Sequence, residues 1–566
     1  MKNAGDFFRR RIIAIPILIV ITTTLLYFII QSILSLTTVS ISSGMILGIA
    51  LTISFLLACV ANLSKKRQYR GIEHGSSKWG TSKEAKQFRS KIFAANILLS
   101  AGIRLNTNMY ETKINNHVFI TGGSGSGKSR FYVIPNLMQM NASYMITDPS
   151  GEILRNTGKM LKEDGYRIKV FDAKNLNRGM KFNPFVYFKE IKDIRRYVDM
   201  LMANTTGDTT HPQSGEDFWV KSERLWMMAH ISYLFETCPP YEQTMPMLVR
   251  LLDESRASEE DEQLVSPIDI LFEQLENENP QSYAVRQYKK YKQAAGRTAK
   301  SILISVGVRL SDWDIPEISE MFSEDEMELD TYGDQKTALF ILLDDADTTY
   351  GYLASLLLDC AFTALKRRAE ESPGYHLKIP VRVILDEFPN IGRFPKIKTL
   401  IAVLRKYFIS LEIIVQNVMQ MKSLYKDDWV TIEGNCDTTL FLGGKGEDTT
   451  KYVSDSLLGK TTIETVNHGG TGGGGFGYSS YNDQTQSTGR NLLDENEVAR
   501  LSVNECIVSI KGVPFKDKKY NPKNHPNYQK TGLYSEKNEY HLGLNGREEK
   551  ENQFYYLSEI DLQEVS

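Results

Sequence analysis

The sequence predicts an α/β fold in which a parallel sheet is interrupted by an all-α insertion and preceded by two membrane-spanning helices. Three observations lead to this prediction. Residues 12–63 contain no charged side chain. A glycine-rich loop with the pattern G-x-x-x-x-G-K-S occupies residues 122–129, directly after an apolar strand. Strand-like segments lie on both sides of a long stretch with helical periodicity.

The composition is that of a folded chain with several domains. It has 566 residues, of which 42% are hydrophobic and 24% charged, and this excludes wholesale disorder. The five cysteines lie far apart, which argues against a disulfide scaffold or a zinc ribbon and fits a reducing compartment. The net charge of −2 divides into +7 over residues 1–11 and 64–70 and −9 over residues 71–566. Any contact with nucleic acid must therefore be local.

The charge-free stretch predicts a membrane hairpin. Residues 12–34 and 44–63 are each long enough for an apolar helix that crosses a bilayer, and residues 35–43 form a short external loop. Basic residues flank both outer ends, so the positive-inside rule places both termini in the cytoplasm and the chain in the cell membrane. The alternative is a cleaved signal peptide, but the first span is too long and a second follows at once.

The loop at residues 122–129 predicts a phosphate-binding site. It follows a short apolar strand at residues 117–121, as this motif requires. Its glycines let backbone N–H groups surround a phosphate, Lys128 offers a charge to the β- and γ-phosphates, and Ser129 can ligate Mg²⁺. We therefore expect ATP and Mg²⁺ as cofactors. The predicted cofactor-binding residues are Gly122, Gly123, Ser124, Gly125, Ser126, Gly127, Lys128, Ser129 and Arg130.

A carboxylate pair is expected at the end of a second strand. Residues 381–386 form an apolar run that ends in Asp386 and is followed by Glu387. This position suits Asp386 as a second metal ligand beside Ser129, and it suits Glu387 for polarising the attacking water. The runner-up is the strand at residues 340–345, which ends in two aspartates.

Two further side chains complete the predicted catalytic set of Lys128, Glu387, Arg405 and Gln416. Gln416 follows the apolar strand 411–415, where a polar side chain could touch the γ-phosphate or the water. Arg405 lies on a predicted helix at residues 396–408 and could complete the site of a neighbouring subunit as an arginine finger. The alternative for Arg405 is an ordinary surface charge.

The chain between Lys128 and Asp386 is longer than three βα units require, so something is inserted. Strand-like segments end near residue 188 and resume at residue 337. We predict a juxtamembrane segment at 64–115, a nucleotide-binding core at 116–188 and 331–515, an all-α domain at 189–330, and a C-terminal tail at 516–566.

The stretch at residues 281–309 carries seven bases, no acid and three interleaved tyrosines, Tyr283, Tyr288 and Tyr291. This combination suits single-stranded nucleic acid, through phosphate contact and base stacking. The alternative is a solvated helix face balanced by the acidic runs at 253–262 and 320–330. The candidate DNA-binding residues are Arg286, Lys289, Lys290, Lys292, Arg297 and Lys300.

Several short motifs accompany the phosphate loop. They are His74-Gly75-Ser76-Ser77-Lys78-Trp79, Asp148-Pro149-Ser150-Gly151-Glu152, Leu385-Asp386-Glu387-Phe388 with Ile391-Gly392, residues 345–350, the run 490–493, and Asp517-Lys518-Lys519-Tyr520. Over about residues 70–525 the chain resembles the type IV secretion coupling proteins, the TraG/TraD-like conjugative ATPases. Ser150 stands where that family has a lysine.

The resemblance implies a RecA-like core with an all-α cap in a membrane-anchored hexamer. It implies a DNA-stimulated ATP hydrolase that delivers a relaxase-bound single DNA strand, or proteins, to the components of a type IV secretion channel. It also implies a trans-acting role for Arg405 and a sensor role for Gln416. Two alternatives stay open: a duplex-DNA translocase of the chromosome-segregation type, which shares the core, and a recruitment hub that binds ATP without pumping.

Overall fold

The computed structural model describes residues 21–34, 42–63, 74–205, 216–257, 265–294, 296–469 and 482–543. Contacts divide the chain into two units. The first combines Met1–Ser76 with Thr461–Gly489, and the second combines Ser77–Lys460 with Arg490–Ser566. All of the predicted site residues belong to the second unit.

The first unit contains a helix over residues 21–34, the helix α1 (Ser43–Leu63) and most of a two-stranded sheet. Residues 12–20 and 35–41 of the predicted hairpin lie outside the described residues. Over the described residues, no helix is long and apolar enough to cross a membrane. The predicted cell-membrane hairpin with two spans and cytoplasmic termini is therefore wrong. A lack of charge shows that residues 12–63 are apolar in composition, and apolar composition alone does not establish a helix that crosses a membrane.

The second unit is built on a nine-stranded sheet in the order β13-β12-β9-β3-β8-β7-β4-β6-β5. The seven strands from β9 to β5 run parallel, and β12 and β13 continue the sheet antiparallel. Two small sheets pair β1 with β2 and β10 with β11. The strands are β1 (Asn96–Leu98), β2 (Arg104–Asn106), β3 (Val118–Thr121), β4 (Ser143–Asp148), β5 (Arg167–Asp172), β6 (Thr337–Leu342), β7 (Val381–Leu385), β8 (Ile409–Val415), β9 (Thr438–Phe441), β10 (Lys460–Gly469), β11 (Asn482–Asn491), β12 (Glu505–Ile510) and β13 (Val513–Lys518).

The α-helices that follow α1 in the described chain connect or cover these strands. They are α2 (Ser82–Lys86), α3 (Met109–Thr112), α4 (Ile134–Leu137), α5 (Glu152–Glu163), α6 (Ile191–Thr205), α7 (Glu216–Thr237), α8 (Met245–Asp253), α9 (Pro267–Glu278), α10 (Tyr283–Tyr291), α11 (Gly296–Leu310), α12 (Pro316–Met321), α13 (Gly351–Glu371), α14 (Ile397–Leu404), α15 (Val418–Tyr425), α16 (Asp428–Gly434), α17 (Glu447–Lys451) and α18 (Glu495–Ala499).

The parallel strands are buried on both faces. In β3, Phe119 belongs to one apolar cluster, whereas Val118 and Ile120 belong to another. This alternation follows from the two-residue period of a strand. It explains why the strands read as continuous apolar runs in the sequence, as is typical of parallel sheets covered by helices on both sides. The observed fold is thus α/β with a mostly parallel, mixed sheet.

The chain between β5 and β6 contains the helices α6 to α12, and within the described residues of 189–330 it contains no strand. Its apolar side chains, such as Trp226 and Trp313, share one cluster with the adjacent face of the sheet. A buried ion pair between Arg309 and Glu223 joins α11 to α7. The domain limits that we placed at 189 and 330 stay a prediction.

The last described residues continue past the sheet. Strand β13 crosses the predicted tail boundary at residue 516. Beyond it, His525 Nε2 lies 3.0 Å from Gln139 Oε1, and the backbone N–H of Tyr540 donates to Arg155 O at 2.8 Å. The segment at residues 519–543 therefore contacts α5 and the residues just after α4.

Candidate nucleotide-binding site

The predicted phosphate- and metal-binding residues, together with Glu387 and Gln416, follow three neighbouring strands of the sheet. The phosphate loop follows β3, Gln416 follows β8, and Asp386 with Glu387 follows β7. These strands are parallel and adjacent, in the order β3-β8-β7, so their carboxyl ends meet at one edge. Ligands bind at this edge in open α/β sheets. The runner-up pair, Asp344 and Asp345, follows β6, which three strands separate from β3.

Glycines shape the loop at residues 122–129. Gly125 and Gly127 have φ angles of 72° and 79°, a left-handed conformation that glycine adopts without strain. A side chain at Gly127 would also collide with the ring of Phe131, since an added Cβ would lie 2.4 Å from Phe131 Cδ2. The backbone N–H of Gly123 donates to Gly443 O at 2.9 Å and ties the loop to the residues after β9.

Lys128 and Ser129 each contact one carboxylate of the predicted pair. Ser129 Oγ donates to Asp386 Oδ2 at 2.7 Å. Lys128 Nζ lies 3.1 Å from Glu387 Oε1 and donates to Gly122 O at 3.2 Å. Ser129 and Asp386, which are 257 residues apart in the chain, are thus in direct contact.

The arrangement fits a magnesium ion. Asp386 Oδ1 is buried and has no hydrogen-bond partner among the described atoms, while Oδ2 accepts from Ser129. A hydroxyl and a carboxylate are oxygen ligands of the kind that Mg²⁺ prefers, with phosphates and waters completing its shell. Ser129 and Asp386 are therefore the residues that would hold the ion.

Glu387 and Gln416 form a second pair beside Lys128. Gln416 Nε2 donates to Glu387 Oε1 at 3.0 Å. Glu387 has a φ angle of 53°, which costs energy in a residue other than glycine and is a feature that concentrates at functional sites. The pair places a carboxylate acceptor beside an amide, and each group has further capacity to hydrogen-bond a water molecule.

Burial raises the pKa of two aspartates at this edge, Asp386 and Asp148. The pKa of Asp386 rises to about 6, although the Ser129 hydroxyl opposes the shift. The pKa of Asp148, the last residue of β4, rises to about 7 because of burial, against a hydrogen bond from the Leu154 N–H. Asp148 Oδ1 is buried without a hydrogen-bond partner among the described atoms. A bound cation would favour the ionised form of both groups.

Lys519 is a neighbour of the phosphate loop that the sequence prediction did not include. It lies just after β13, and its Nζ donates to Ser126 O at 2.8 Å. Lys519 belongs to the motif at residues 517–520, which the sequence analysis had singled out. Nothing in the local pattern indicated that its side chain would reach a loop 393 residues away.

Arg405 does not approach the phosphate loop of its own chain. It is exposed, and it lies in a short turn before β8, at the amino edge of the sheet. The seven residues of β8, about 23 Å of strand, separate it from Gln416 at the carboxyl edge. Arg130 follows Ser129 and is also exposed. The predicted roles of both arginines stay predictions.

In the basic stretch at residues 281–309, two of the tyrosines are buried and the candidate DNA-binding bases are exposed. Tyr288 and Tyr291 are buried, and the ring of Tyr288 stacks on Phe272 with centroids 3.8 Å apart. The hypothesis of base stacking on these two rings is therefore wrong, because apolar neighbours already cover them. The basic side chains behave differently, since all six candidates are exposed: Arg286, Lys289, Lys290, Lys292, Arg297 and Lys300.

A sequence model of the family described as "Type IV secretory system Conjugative DNA transfer" matches residues 77–521, which is more than half of the chain. The chain belongs to this family. Among its relatives, Protein VirD4 of Agrobacterium fabrum strain C58 is 22% identical over 407 residues, which cover 70% of this chain and 57% of VirD4. The conjugal transfer protein TraG of the same strain is 23% identical over 409 residues, which cover 71% of this chain and 59% of TraG. The chain thus spans less than two thirds of the length of either relative.

Solved structures of the bacterial conjugative coupling protein TrwB share the fold of this family member. The unbound form of TrwB lacking its N-terminal residues aligns with a TM-score of 0.56 and 17% identity, over 80% of this chain and 94% of TrwB. TrwB in complex with the ATP analogue ADPNP gives the same TM-score at 16% identity, over 81% of this chain and 95% of that one. At this level of identity the similarity shows the α/β core and no more.

Proposed function

We propose that this chain is an ATPase that couples ATP hydrolysis to the transfer of single-stranded DNA in a type IV secretion system. One observation carries the proposal: the contacts of Lys128 with Glu387 and of Ser129 with Asp386 at one edge of the sheet. Family membership supplies the physiological setting, because the family is described by conjugative DNA transfer. TrwB, which shares the fold, is described with ADPNP and with ADP and Mg²⁺, and this favours the same cofactors here.

In the proposed mechanism, the backbone N–H groups of the loop and Lys128 bind the phosphates. Ser129 and Asp386 would hold Mg²⁺, which would supply positive charge that offsets the charge of the phosphates. Glu387 accepts a proton from the attacking water, and Gln416 holds the Glu387 carboxylate in position through the hydrogen bond that it donates to it. Lys128 must leave Glu387 when it meets the phosphates, so nucleotide entry frees the catalytic carboxylate.

We further propose that subunits assemble into a ring, with a hexamer as the expected form. Arg405 is exposed at the amino edge of the sheet, where it could reach the nucleotide of an adjacent copy but not its own. The partners in this proposal are a relaxase with its bound DNA strand and the components of the secretion channel. The exposed bases of α10 and α11 would contact phosphates of that strand.

The test is phosphate release by the full-length chain, measured alone, with single-stranded DNA and with duplex DNA. We expect single strands to stimulate hydrolysis more than duplex does. Stronger stimulation by duplex would favour the duplex translocase, and nucleotide binding without hydrolysis would favour the recruitment hub. Glu387→Gln is the matched control, because it should keep ATP binding and lose hydrolysis. A Glu387→Gln protein that hydrolyses ATP at the wild-type rate would contradict the assigned mechanism.

A further inference from the structure

A second lysine contacts the phosphate loop from outside the motif. Lys519 is only 7% exposed, and its Nζ donates to the backbone oxygen of Ser126. The same Nζ lies 5.4 Å from the centre of the Phe131 ring, a distance at which a cation is attracted to an aromatic face. Phe131 in turn packs against Gly127. Lys519 therefore reaches two consecutive residues of the loop, one directly and one through a ring.

The backbone that carries Lys519 is held in place. Its N–H donates to Asn504 O at 2.8 Å, next to the antiparallel pair β12-β13. Two residues earlier, the Asp517 carboxylate accepts hydrogen bonds from Ser100 Oγ at 2.6 Å and from the Gly102 N–H at 2.7 Å. Because the backbone at Lys519 is already fixed, the contact of its side chain with the phosphate loop costs less conformational entropy.

The charge of Lys519 is not matched by a carboxylate in the described part of the chain, where no ion pair involves it. Burial accordingly lowers the pKa of the Lys519 ammonium group. A buried cation is costly until an opposite charge approaches it. The loop that Lys519 touches is the one expected to surround the phosphates, which would supply that charge.

We propose that Lys519 is a positioning residue of the nucleotide site, which fixes the outer side of the phosphate loop through Ser126 and Phe131 and offsets the charge of the bound phosphates. The proposal rests on the proposed ATPase function and adds to it a residue outside the motifs that bind phosphate and metal. It predicts that Lys519 acts mainly on nucleotide affinity, because its contacts are with the loop and not with the attacking water.

The test compares Lys519→Met with Lys518→Met in the full-length chain. Lys518 is the exposed neighbour with the same charge, so it controls for net charge and for the hairpin. For Lys519→Met we expect about tenfold weaker binding of a fluorescent ATP analogue, the size expected when a charged hydrogen bond is lost. The KM for ATP should rise by a similar factor while kcat changes less. Lys518→Met should match the wild type, and Lys519→Arg should recover most of the affinity.

A second readout separates positioning from simple stability. A purely structural role would lower the melting temperature without nucleotide and leave the rise caused by ATP unchanged, and this result would overturn the proposal. Equal affinities for Lys519→Met and Lys518→Met would also overturn it. If Lys519→Met does not fold, Lys519→Gln replaces it under the same criteria. If the wild type binds no nucleotide, the proposed function fails and this inference falls with it; if the wild type hydrolyses ATP and only the Lys519 comparison fails, the proposed function stands.

Discussion

Two regions of this chain place lysines that are predicted to contact phosphate in different environments. At the carboxyl edge of the sheet, the Lys128 side chain is 9% exposed and lies among groups from separate strands. On α10, the Lys289 side chain is 60% exposed and pairs with Glu276 of α9. A buried cation keeps its position only if specific groups hold it, whereas an exposed pair contributes little. The difference indicates that function at the sheet edge depends on single residues, and that any function on α10 is spread over several.

The largest expected effect is that of Lys128→Ala. It removes the charge that meets the phosphates, and we expect ATP hydrolysis to fall by about 1000-fold. The measurement is steady-state phosphate release, with Lys289→Ala as the matched control from the exposed region. Lys289→Ala should hydrolyse ATP at the wild-type rate. If Lys128→Ala retains more than a tenth of the activity, the contrast between the two regions disappears.

Arg405→Ala should also abolish hydrolysis in a ring, but for a different reason. Because Arg405 lies at the far edge of its own sheet, we expect its loss to affect the site of a neighbouring subunit. A mixture of Arg405→Ala and Lys128→Ala subunits should regain activity, since an intact loop can then meet an intact arginine. In a randomly mixed ring, about a quarter of the sites would be complete. A mixture that stays inactive would contradict action in trans.

The positions of these groups at the sheet edge could be predicted because each group has a local sequence pattern. The loop at 122–129 has fixed spacing, and Asp386, Glu387 and Gln416 each follow an apolar run that can be read directly. The contacts of Lys519 could not be predicted, because they depend on how β13 adds to the sheet far along the chain. The burial of Tyr288 depends on Phe272 of the preceding helix, and alternation of bases and tyrosines cannot reveal it. The prediction of a membrane hairpin was wrong because it rested on the lack of charge in residues 12–63, and apolar composition alone does not establish a helix that crosses a membrane.

Asp148 should make stability depend on pH. Burial raises its pKa from 3.8 to about 7, so the neutral form is favoured in the folded chain. The resulting stabilisation is complete below the unfolded pKa and is lost as the pH rises through about 7. The loss amounts to about 4 kcal/mol at most. Urea unfolding from pH 4 to pH 7 without nucleotide should show a smaller decline for Asp148→Asn than for the wild type, with the exposed Asp345→Asn as control. Parallel pH profiles for all three proteins would contradict the shift.

The smallest expected effect is on the salt dependence of single-stranded DNA binding by α10. The exposed bases of α10, with Lys292 directly after it, fall into two pairs, which allows an internal control. Lys289 and Lys292 are paired with Glu276 and Asp269, whereas no ion pair is described for Arg286 or Lys290. Phosphate contact by a base releases counterions, and each lost contact lowers the slope of log affinity against log salt by about 0.7.

We therefore expect the double variant Arg286→Gln and Lys290→Gln to lower that slope by about 1.4, because both charges are available to phosphates. The double variant Lys289→Gln and Lys292→Gln removes the same net charge but should change the slope much less, since neighbouring carboxylates already satisfy both groups. Fluorescence anisotropy with a labelled oligonucleotide between 50 and 200 mM salt, which is a range of about fourfold, measures both slopes. If the two double variants have equal slopes, DNA binding depends only on the net charge of the helix. If both slopes equal that of the wild type, α10 is an ordinary solvated helix face. Either result would confine specific electrostatic function to the buried edge of the sheet.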